Sequence, residues 1–252
     1  AEHGGGWAEE YARRGLLRVG GGEAADTSSW LREGLLAGVQ VELEILLAAG
    51  ALAARHGQPA HVRSDRVAYL QLEGGDGDDC EGGLGGGELL DAVPCPPCCM
   101  EVIRLLEGFA AALDGRLHLH LRRPRRCMAA CYEGGAFYTP HRDNDLDPST
   151  GELKNRRALT AIFYANDPDW TIEQGGALRC HPNVGPAAGS AQPLKPSQEV
   201  PMPEAAGAVD ILPSGGRVVL FDSRRLLHEV LPAKDRRWAI SVWFVTEDAS
   251  AA

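Results

Sequence analysis

The stretch RWAISVWF at residues 237–244 alternates between two kinds of side chain along its length. If this stretch is a β-strand, its odd-numbered residues share one side with Arg237, and the large apolar residues between them face the other side. Two further runs, RALTAIFYAN at 157–166 and GRVVLF at 216–221, are rich in the β-branched and aromatic residues that favour strands. Because clusters of Gly, Pro, Asn and Asp separate these runs, the sequence predicts a β-rich C-terminal half.

Three potential metal ligands lie among these runs. His141 and Asp143 are two positions apart, a spacing that would bring both side chains to the same side of a strand, and His228 follows far downstream. Two imidazoles and one carboxylate can occupy one face of a metal ion and leave the other face open, which is the ligand set of non-haem Fe(II) oxygenases. An H-x-D pair alone is common by chance. The strand-like runs around this pair favour an Fe(II) site with room for a co-substrate and for O2.

Several short motifs in a fixed order are more specific than any one of them. The motifs are MAACY (128–132), YTPHRDN (138–144), RALTAIFYAN (157–166), GGALR (175–179), DSRRLLHEV (222–230) and RWAISVWF (237–244). In this order they resemble the prolyl-hydroxylase branch of the 2-oxoglutarate/Fe(II) dioxygenases, of the type that hydroxylates hypoxia-inducible factor or Skp1. Residues 63–69 are similar to the arginine-aspartate segment that precedes the barrel in that family.

The resemblance implies roles for individual residues. It implies that His141, Asp143 and His228 hold the iron. It implies that Arg237 pairs with the distal carboxylate of 2-oxoglutarate, for which a planar guanidinium is well suited. The other implied contacts are hydrogen bonds from Tyr164 and Tyr132 to the co-substrate, packing of Leu178 against it, and a substrate mouth formed by Arg157, Trp243 and Tyr138.

The reaction implied by the resemblance is hydroxylation of a prolyl residue in a protein or peptide, giving 4-hydroxyproline, succinate and CO2. The chain would then be a 2-oxoglutarate-dependent dioxygenase of the procollagen/HIF-type peptidyl-prolyl 4-hydroxylase class. It would use Fe(II), 2-oxoglutarate and O2, with ascorbate as a further candidate cofactor and oxygen sensing as a candidate role. Three alternatives stay open: hydroxylation of a ribosomal-protein proline, demethylation of nucleic acid, and a non-catalytic jelly-roll binding module.

The amino-acid composition limits which binding partners and which cellular compartment are expected. The 252 residues carry a formal net charge of −10, and the isoelectric point is about 5.3, so a nucleic-acid partner is not expected. No apolar run is long enough to span a membrane. Seven cysteines, an odd number without framework spacing, fit a reducing compartment, the cytoplasm or the nucleus. Nothing in the sequence demands more than a monomer.

The expected fold is mainly β with flanking helices (α+β), built on a double-stranded β-helix, or jelly-roll, core. Residues 1–26 are predicted to be a flexible N-terminal segment. Residues 27–126 are predicted to hold supporting helices and the first strands, and residues 127–246 the Fe(II)/2-oxoglutarate dioxygenase core of one catalytic domain. Apolar residues at helical spacing predict helices within 30–54, capped by Ser28 or Ser29, and within 101–113.

For three further features the sequence predicts a structure but no function. Cys95, Cys98 and Cys99 have the spacing of a zinc knuckle but lack a second ligand pair, so they are interpreted as a surface thiol cluster. His118 and His120 are predicted to be surface histidines on a strand. The Pro/Ala/Gly-rich stretch at 183–208 is interpreted as an insertion between barrel strands.

Overall fold

The computed structural model describes residues 16–19, 31–55, 58–74, 92–147, 149–182, 184 and 207–246. The strands are β1 (Leu16–Val19), β2 (Ala53–Ala54), β3 (Arg66–Gln71), β4 (Val93–Pro94), β5 (Leu121–Arg122), β6 (Arg126–Tyr132), β7 (Ala136–His141), β8 (Arg157–Tyr164), β9 (Leu178–His181), β10 (Val209–Ile211), β11 (Val218–Asp222), β12 (Leu227–Ala233) and β13 (Arg237–Thr246). The helices are α1 (Leu35–Ala48) and α2 (Pro97–Leu117), with a 3-10 turn at Ile172–Gln174.

Among the described residues the strands form two sheets. The larger, nine-stranded sheet runs β1-β11-β8-β13-β6-β3-β2, with β4 paired to β3 and β5 paired to β13. The smaller sheet runs β10-β9-β12-β7. Every pairing is antiparallel except β3 with β4. Two mainly antiparallel sheets with helices on one side confirm the predicted mainly β fold with flanking helices.

The larger sheet separates two apolar cores. On its outer face, even-numbered residues of β13 such as Trp238 and Ile240 pack in one core with apolar residues of the helices, including Val39 of α1 and Val102 of α2. On its inner face, odd-numbered residues such as Trp243 pack with side chains of the smaller sheet. The alternation in residues 237–244 therefore corresponds to a strand buried on both sides, and the two helices support the larger sheet as the sequence predicts.

The bounds of α1 differ from the prediction. Gly34 adopts a left-handed conformation (φ 76°) as the N-cap, so α1 begins at Leu35 rather than at residue 30. Gly50, also left-handed (φ 74°), follows the helix, and Ala53–Ala54 forms β2 instead of a last helical turn. Glycine adopts such backbone angles without strain, which explains why α1 begins after Gly34 and ends before Gly50. The proposed caps Ser28 and Ser29 lie outside the described residues.

The N-terminus of α2 corrects the prediction of a surface thiol cluster. The helix begins at Pro97, a favourable first position because proline already has helical φ. Cys99 is therefore helical and lies fully buried in the outer core, so its prediction as a surface thiol is wrong, while Cys95 and Cys98 are half-buried. The burial of Cys99 follows from its spacing of three and four residues to Val102 and Ile103, which are buried too.

The end of α2 corrects a second prediction. His118 and His120 both have left-handed backbone angles (φ 53°), and neither belongs to a strand. His118 is the C-cap at which α2 ends. Both side chains are exposed, as predicted, but the predicted strand is wrong.

Other predictions fall partly or wholly outside the described residues. Residues 16–19, within the segment predicted to be flexible, form β1 at an edge of the larger sheet. Most of the predicted insertion at 183–208 lies outside the described residues. No helix in the described part of the chain has the length and hydropathy needed to cross a membrane.

Glu42 provides a first prediction, about stability. Its two carboxylate oxygens accept hydrogen bonds from the backbone N–H groups of Cys98 and Cys99, each at 2.8 Å. The first N–H groups of a helix have no partner within the helix. We therefore expect Glu42→Ala to lower the free energy of unfolding by about 1–3 kcal/mol, because it leaves these donors unsatisfied. Urea denaturation followed by circular dichroism measures the change.

A matched variant separates helix capping from general loss of surface charge. Glu101→Ala removes a carboxylate of α2 that pairs with Arg32 at the exposed surface, where an ion pair contributes little. Glu42→Gln should lie between wild type and Glu42→Ala, because an amide oxygen still accepts hydrogen bonds. Equal losses for Glu42→Ala and Glu101→Ala would contradict the capping role.

Candidate metal and co-substrate site

The three predicted metal ligands converge in the structure. His141 is the last residue of β7, and it pairs in register with His228 on β12. Asp143 lies two residues beyond the end of β7, in a bend, so the expectation that His141 and Asp143 share one strand is wrong. The ligating atoms of all three side chains nevertheless lie within 4.8 Å of one another. That spacing allows one metal ion to contact all three.

Both imidazoles present an unprotonated nitrogen to the cluster. His141 Nδ1 lies 2.9 Å from the carbonyl oxygen of Thr139, and His228 Nδ1 lies 3.1 Å from that of Leu226. A carbonyl oxygen only accepts hydrogen bonds, so each Nδ1 carries the proton and each Nε2 keeps its lone pair. The Nε2 atoms lie 3.8 Å and 4.0 Å from the Asp143 carboxylate. Burial and the nearby His228 lower the pKa of His141, which keeps it neutral.

Asp143 supplies the negative charge of the cluster. Burial by itself raises the pKa of Asp143, but His228, His141 and Arg157 lower it by more, so the pKa lies below its ordinary value. Thr160 Oγ1 donates a hydrogen bond to Asp143 Oδ2 at 2.7 Å. The carboxylate is therefore ionised and oriented. Two neutral imidazoles and one carboxylate on one side of a pocket suit a divalent cation such as Fe(II).

A stack of side chains holds the ring of His141. Tyr138 stacks on His141 with ring centroids 3.6 Å apart, and the Arg63 guanidinium lies 4.4 Å from the centroid of the Tyr138 ring. Arg63 is buried and donates to Asp65, with Nε 2.7 Å from Oδ1. Tyr138, predicted to contact substrate, lines the pocket and also packs directly against a metal-ligand candidate.

Arg237 lies deep in the same pocket. Its side chain is 1 % exposed, and its Nε donates to the carbonyl oxygen of Gly176 at 2.7 Å. The guanidinium carbon lies 4.8 Å from the ring centroid of Tyr132 and 5.0 Å from that of Tyr164. The ion pairs formed by the described residues do not include Arg237. A buried cation without a counter-ion calls for an anionic ligand.

The predicted tyrosines and leucine surround this cation. The buried hydroxyl of Tyr164 has no hydrogen-bond partner among the described residues. Tyr132 and Leu178 line the pocket, and the Tyr164 ring lies next to the Arg237 guanidinium. An anion bound to Arg237 within reach of the Tyr164 hydroxyl would satisfy both groups. The distal carboxylate of 2-oxoglutarate fits this requirement chemically.

One pocket contains the metal-ligand candidates and the arginine. It encloses about 550 Å³ of space not filled by protein atoms, including solvent at its mouth. The odd-numbered residues of β13 from Arg237 to Trp243 line it, as the alternation predicts. The remaining lining residues are Arg55, Arg63, Met128, Ala130, Tyr132, Tyr138, His141, Asp143, Arg157, Thr160, Ile162, Leu178, His228 and Val230.

Arg157 and Trp243 form one wall of the pocket. The Arg157 guanidinium carbon lies 4.0 Å from the centroid of the Trp243 ring. Both side chains are largely buried, and Arg157 Nε and Trp243 Nε1 have no hydrogen-bond acceptor among the described residues. The wall thus brings a guanidinium cation and an aromatic ring together at the pocket, a pair that can contact an oxygen acceptor and an apolar ring.

Several residues of the site were missed from the sequence. Thr160 contacts Asp143, and the alternation that places Thr160 on the face of Tyr164 is a signal that could have found it. Ser223 contacts Thr160, and Asn155 donates to the backbone oxygen of Asp143 at 3.0 Å. Arg55 lines the pocket. Ser223, Asn155 and Arg55 carry no local pattern, because tertiary folding alone brings them to the site.

Comparisons with known proteins agree with this geometry. Residues 127–245 match the family model of the 2OG-Fe(II) oxygenase superfamily. The hypoxia-inducible factor prolyl hydroxylase of Caenorhabditis elegans is 33 % identical over 147 residues, which are 57 % of this chain and 16 % of that protein. Egl nine homolog 1 of Homo sapiens is 35 % identical over 129 residues, 50 % of this chain and 24 % of that protein. The chain thus spans well under half the length of these two relatives.

A solved structure shares the fold. The Trichoplax adhaerens prolyl hydroxylase, in complex with a peptide fragment of the hypoxia-inducible factor oxygen degradation domain, superposes with a TM-score of 0.65 at 22 % identity, covering 98 % of this chain and 91 % of that chain. This likeness confirms the predicted jelly-roll fold. The family match confirms Fe(II), 2-oxoglutarate and O2 as the predicted cofactors, while ascorbate stays a prediction. Residues 127–245 are thus similar to the 2OG-Fe(II) oxygenase superfamily over a little under half of the chain.

Proposed function

We propose that the chain hydroxylates a prolyl residue of a protein or peptide, using Fe(II), 2-oxoglutarate and O2 and releasing 4-hydroxyproline, succinate and CO2. One observation carries the proposal. A two-histidine, one-carboxylate cluster lines the same pocket as a buried arginine that has no counter-ion among the residues that the structure describes. A metal ion and a dicarboxylate of opposite charge to the arginine are the ligands that such a pocket requires.

The proposed roles of the chain's residues follow from their positions. His141, Asp143 and His228 would hold the iron, which when bound supplies the activation of O2 coupled to oxidative decarboxylation of 2-oxoglutarate. Arg237 would bind the distal carboxylate of the co-substrate, and the Tyr164 hydroxyl would complete its hydrogen bonds. Tyr132 and Leu178 would border the co-substrate. Apolar neighbours such as Ile162 would exclude water from it.

The prolyl substrate is supported by relatives and by the pocket wall. The Caenorhabditis elegans relative is named as a hypoxia-inducible factor prolyl hydroxylase, and the Trichoplax adhaerens prolyl hydroxylase structure contains a peptide fragment of the hypoxia-inducible factor oxygen degradation domain. Trp243 offers an aromatic ring, and Arg157 offers a cation next to it, at the wall of the pocket. A prolyl ring against Trp243, with its backbone carbonyl oxygen toward Arg157, would use both features. Tyr138 would border the same mouth.

We also propose the cytoplasm or the nucleus as the compartment and a monomer as the working state. The six described cysteines, Cys95, Cys98, Cys99, Cys127, Cys131 and Cys180, are all free thiols. Free thiols persist where glutathione and thioredoxin keep them reduced.

Gly176 provides a prediction about co-substrate binding. Its φ is +68°, and a Cβ there would lie 2.7 Å from Arg237 Cδ and 3.1 Å from Ala233 Cβ. We expect Gly176→Ala to displace the guanidinium and to raise the KM for 2-oxoglutarate by about 10- to 100-fold, the effect of a shift on the order of 1 Å in a positioned group. Steady-state succinate formation at varied 2-oxoglutarate measures the change.

Gly151 is the matched control for Gly176. It has a similar φ of +71° but nothing within 4 Å of an added Cβ. Gly151→Ala therefore introduces the same backbone strain without touching the pocket, and its KM should equal that of wild type. If both variants shift the KM alike, contact with Arg237 is not the cause.

The proposed reaction is tested with a panel of proline-containing peptides. The protein is supplied with Fe(II), 2-oxoglutarate, ascorbate and air, and each peptide is matched by one with Ala in place of Pro. We expect mass spectrometry to find one added oxygen on proline, with one succinate formed per hydroxylated peptide. Metal-dependent succinate formation with no oxidised peptide anywhere in the panel would contradict the prolyl assignment.

A further inference from the structure

The carboxylate of Asp143 is held by side chains from other elements. Thr160 Oγ1 on β8 lies 2.7 Å from Asp143 Oδ2, and Ser223 Oγ lies 2.8 Å from Thr160 Oγ1. Thr160 is 1 % exposed and Ser223 is 0 % exposed. Because Asp143 lies beyond the end of β7, no strand pairing fixes its direction. Thr160 therefore gives the Asp143 carboxylate a direct side-chain hydrogen bond, and Ser223 in turn contacts Thr160.

The direction of the hydroxyl protons follows from their partners. Thr160 Oγ1 donates to Asp143 Oδ2, so its single hydroxyl proton is used in that bond. The Thr160 oxygen can then only accept from Ser223. The order is Ser223 to Thr160 to Asp143, and Ser223 thereby fixes the rotation of the Thr160 hydroxyl. Two consecutive hydrogen bonds thus run from Ser223 through Thr160 to Asp143. Both are buried, and hydrogen bonds in such a buried series strengthen each other.

The two carboxylate oxygens have different surroundings. Oδ2 accepts the Thr160 hydrogen bond. Oδ1 lies 3.8 Å from His141 Nε2, and the hydrogen bonds formed within the described part of the chain do not include one to Oδ1. Oδ2 also lies 4.0 Å from His228 Nε2, so both oxygens lie beside the imidazoles. Because Thr160 already occupies a lone pair of Oδ2, Oδ1 is the oxygen with more capacity left to bind a metal.

We propose that Thr160 and Ser223 are positioning residues that make Asp143 a one-oxygen metal ligand through Oδ1. A carboxylate bound through one oxygen uses one metal position, which preserves the positions that a chelating co-substrate and O2 need. The inference rests on the proposed function, because it requires that His141, Asp143 and His228 bind a metal. Partners that orient metal ligands typically change metal affinity by about 10- to 100-fold when removed.

Co(II) binding tests this role without relying on turnover. The visible absorption of bound Co(II) reports its coordination, and titration gives its affinity. We expect Thr160→Val, which keeps the branched shape but lacks the hydroxyl, to weaken Co(II) binding by about 10- to 100-fold and to change the spectrum. Thr160→Ser keeps the hydroxyl and should retain both wild-type properties. Ser223→Ala should change the Co(II) affinity and the spectrum in the same direction as Thr160→Val, but by a smaller amount.

A matched threonine controls for the loss of a buried hydroxyl. Thr246 on β13 is 2 % exposed and its hydroxyl has no hydrogen-bond partner among the described residues, so Thr246→Val should bind Co(II) as wild type does. A folded Thr160→Val with wild-type affinity and spectrum would overturn the proposal. If Thr160→Val does not fold, Ser223→Ala decides, and unchanged binding there overturns the proposal as well.

The failure of the proposed function gives a different result. If wild type itself binds no Co(II), or binds it only as well as the His228→Ala variant does, the metal assignment fails. Wild-type binding that is lost in His228→Ala and unchanged in Thr160→Val leaves the metal site standing and removes only the role of Thr160 and Ser223.

Discussion

Replacing His228 with Ala is expected to abolish metal binding and turnover. His228 is 4 % exposed and pairs in register with His141 across the smaller sheet. Its removal leaves one imidazole and one carboxylate, which cannot enclose a metal from one side. We expect Fe(II) affinity to fall by more than about 100-fold, the upper range for residues that merely orient a ligand. Anaerobic calorimetric titration of Fe(II) measures the loss, and succinate release measures turnover.

His181 is the matched control for His228. It is also buried, on the neighbouring strand β9, but its Nε2 lies 3.1 Å from Glu229 Oε1 and it does not line the pocket. His181→Ala should lower stability and leave Fe(II) affinity close to that of wild type. Substantial metal-dependent turnover in His228→Ala would contradict the ligand assignment.

Replacing Arg237 with Ala is expected to raise the KM for 2-oxoglutarate by about 30-fold or more. Removing one partner of a buried, hydrogen-bonded charge pair costs about 2–5 kcal/mol, and each step of about 1.4 kcal/mol corresponds to a factor of ten. Arg237→Lys keeps the charge but lacks the planar fork that binds a carboxylate through two hydrogen bonds. Its KM for 2-oxoglutarate should therefore lie between those of wild type and Arg237→Ala. Initial rates of succinate formation at varied 2-oxoglutarate give the values.

Arg236 is the matched control for Arg237. It precedes Arg237 in sequence, but its half-exposed side chain pairs with Glu44 and Glu133 at the surface. Arg236→Ala removes an equal charge outside the pocket and should leave the KM for 2-oxoglutarate unchanged. If Arg237→Ala shows the co-substrate dependence of wild type, the proposed role of Arg237 is wrong.

The sequence predicted those strands whose side chains alternate between the pocket and the outer apolar core. The alternation of residues 237–244 placed Arg237 and Trp243 on the pocket side and Trp238 in the outer core, because a strand buried on both faces still separates polar from bulky apolar residues. The motif order predicted that His141 and His228 meet. The structure brings them together through the pairing of β7 with β12, which no local pattern describes.

Features that depend on tertiary contacts could not be predicted from local sequence patterns. A spacing of two residues is compatible both with a strand and with the bend that Asp143 occupies, and contacts from Thr160 and Asn155 determine which is formed. Likewise, the role of Tyr164 beside the co-substrate stays a prediction, and the structure places its ring 5.0 Å from the Arg237 guanidinium carbon. The start of α1 depends on the left-handed Gly34, which an apolar pattern does not reveal.

Incorporation of labelled oxygen shows whether the His228-dependent reaction transfers oxygen from O2 to proline and to succinate. The protein is incubated with Fe(II), 2-oxoglutarate and a peptide that it oxidises, under ¹⁸O₂, and both products are analysed by mass spectrometry. We expect one labelled atom in the hydroxyprolyl residue and one in succinate, with neither product labelled when His228→Ala replaces wild type. A hydroxylated peptide whose new oxygen comes from water, or labelled succinate formed equally well by His228→Ala, would contradict the proposed function.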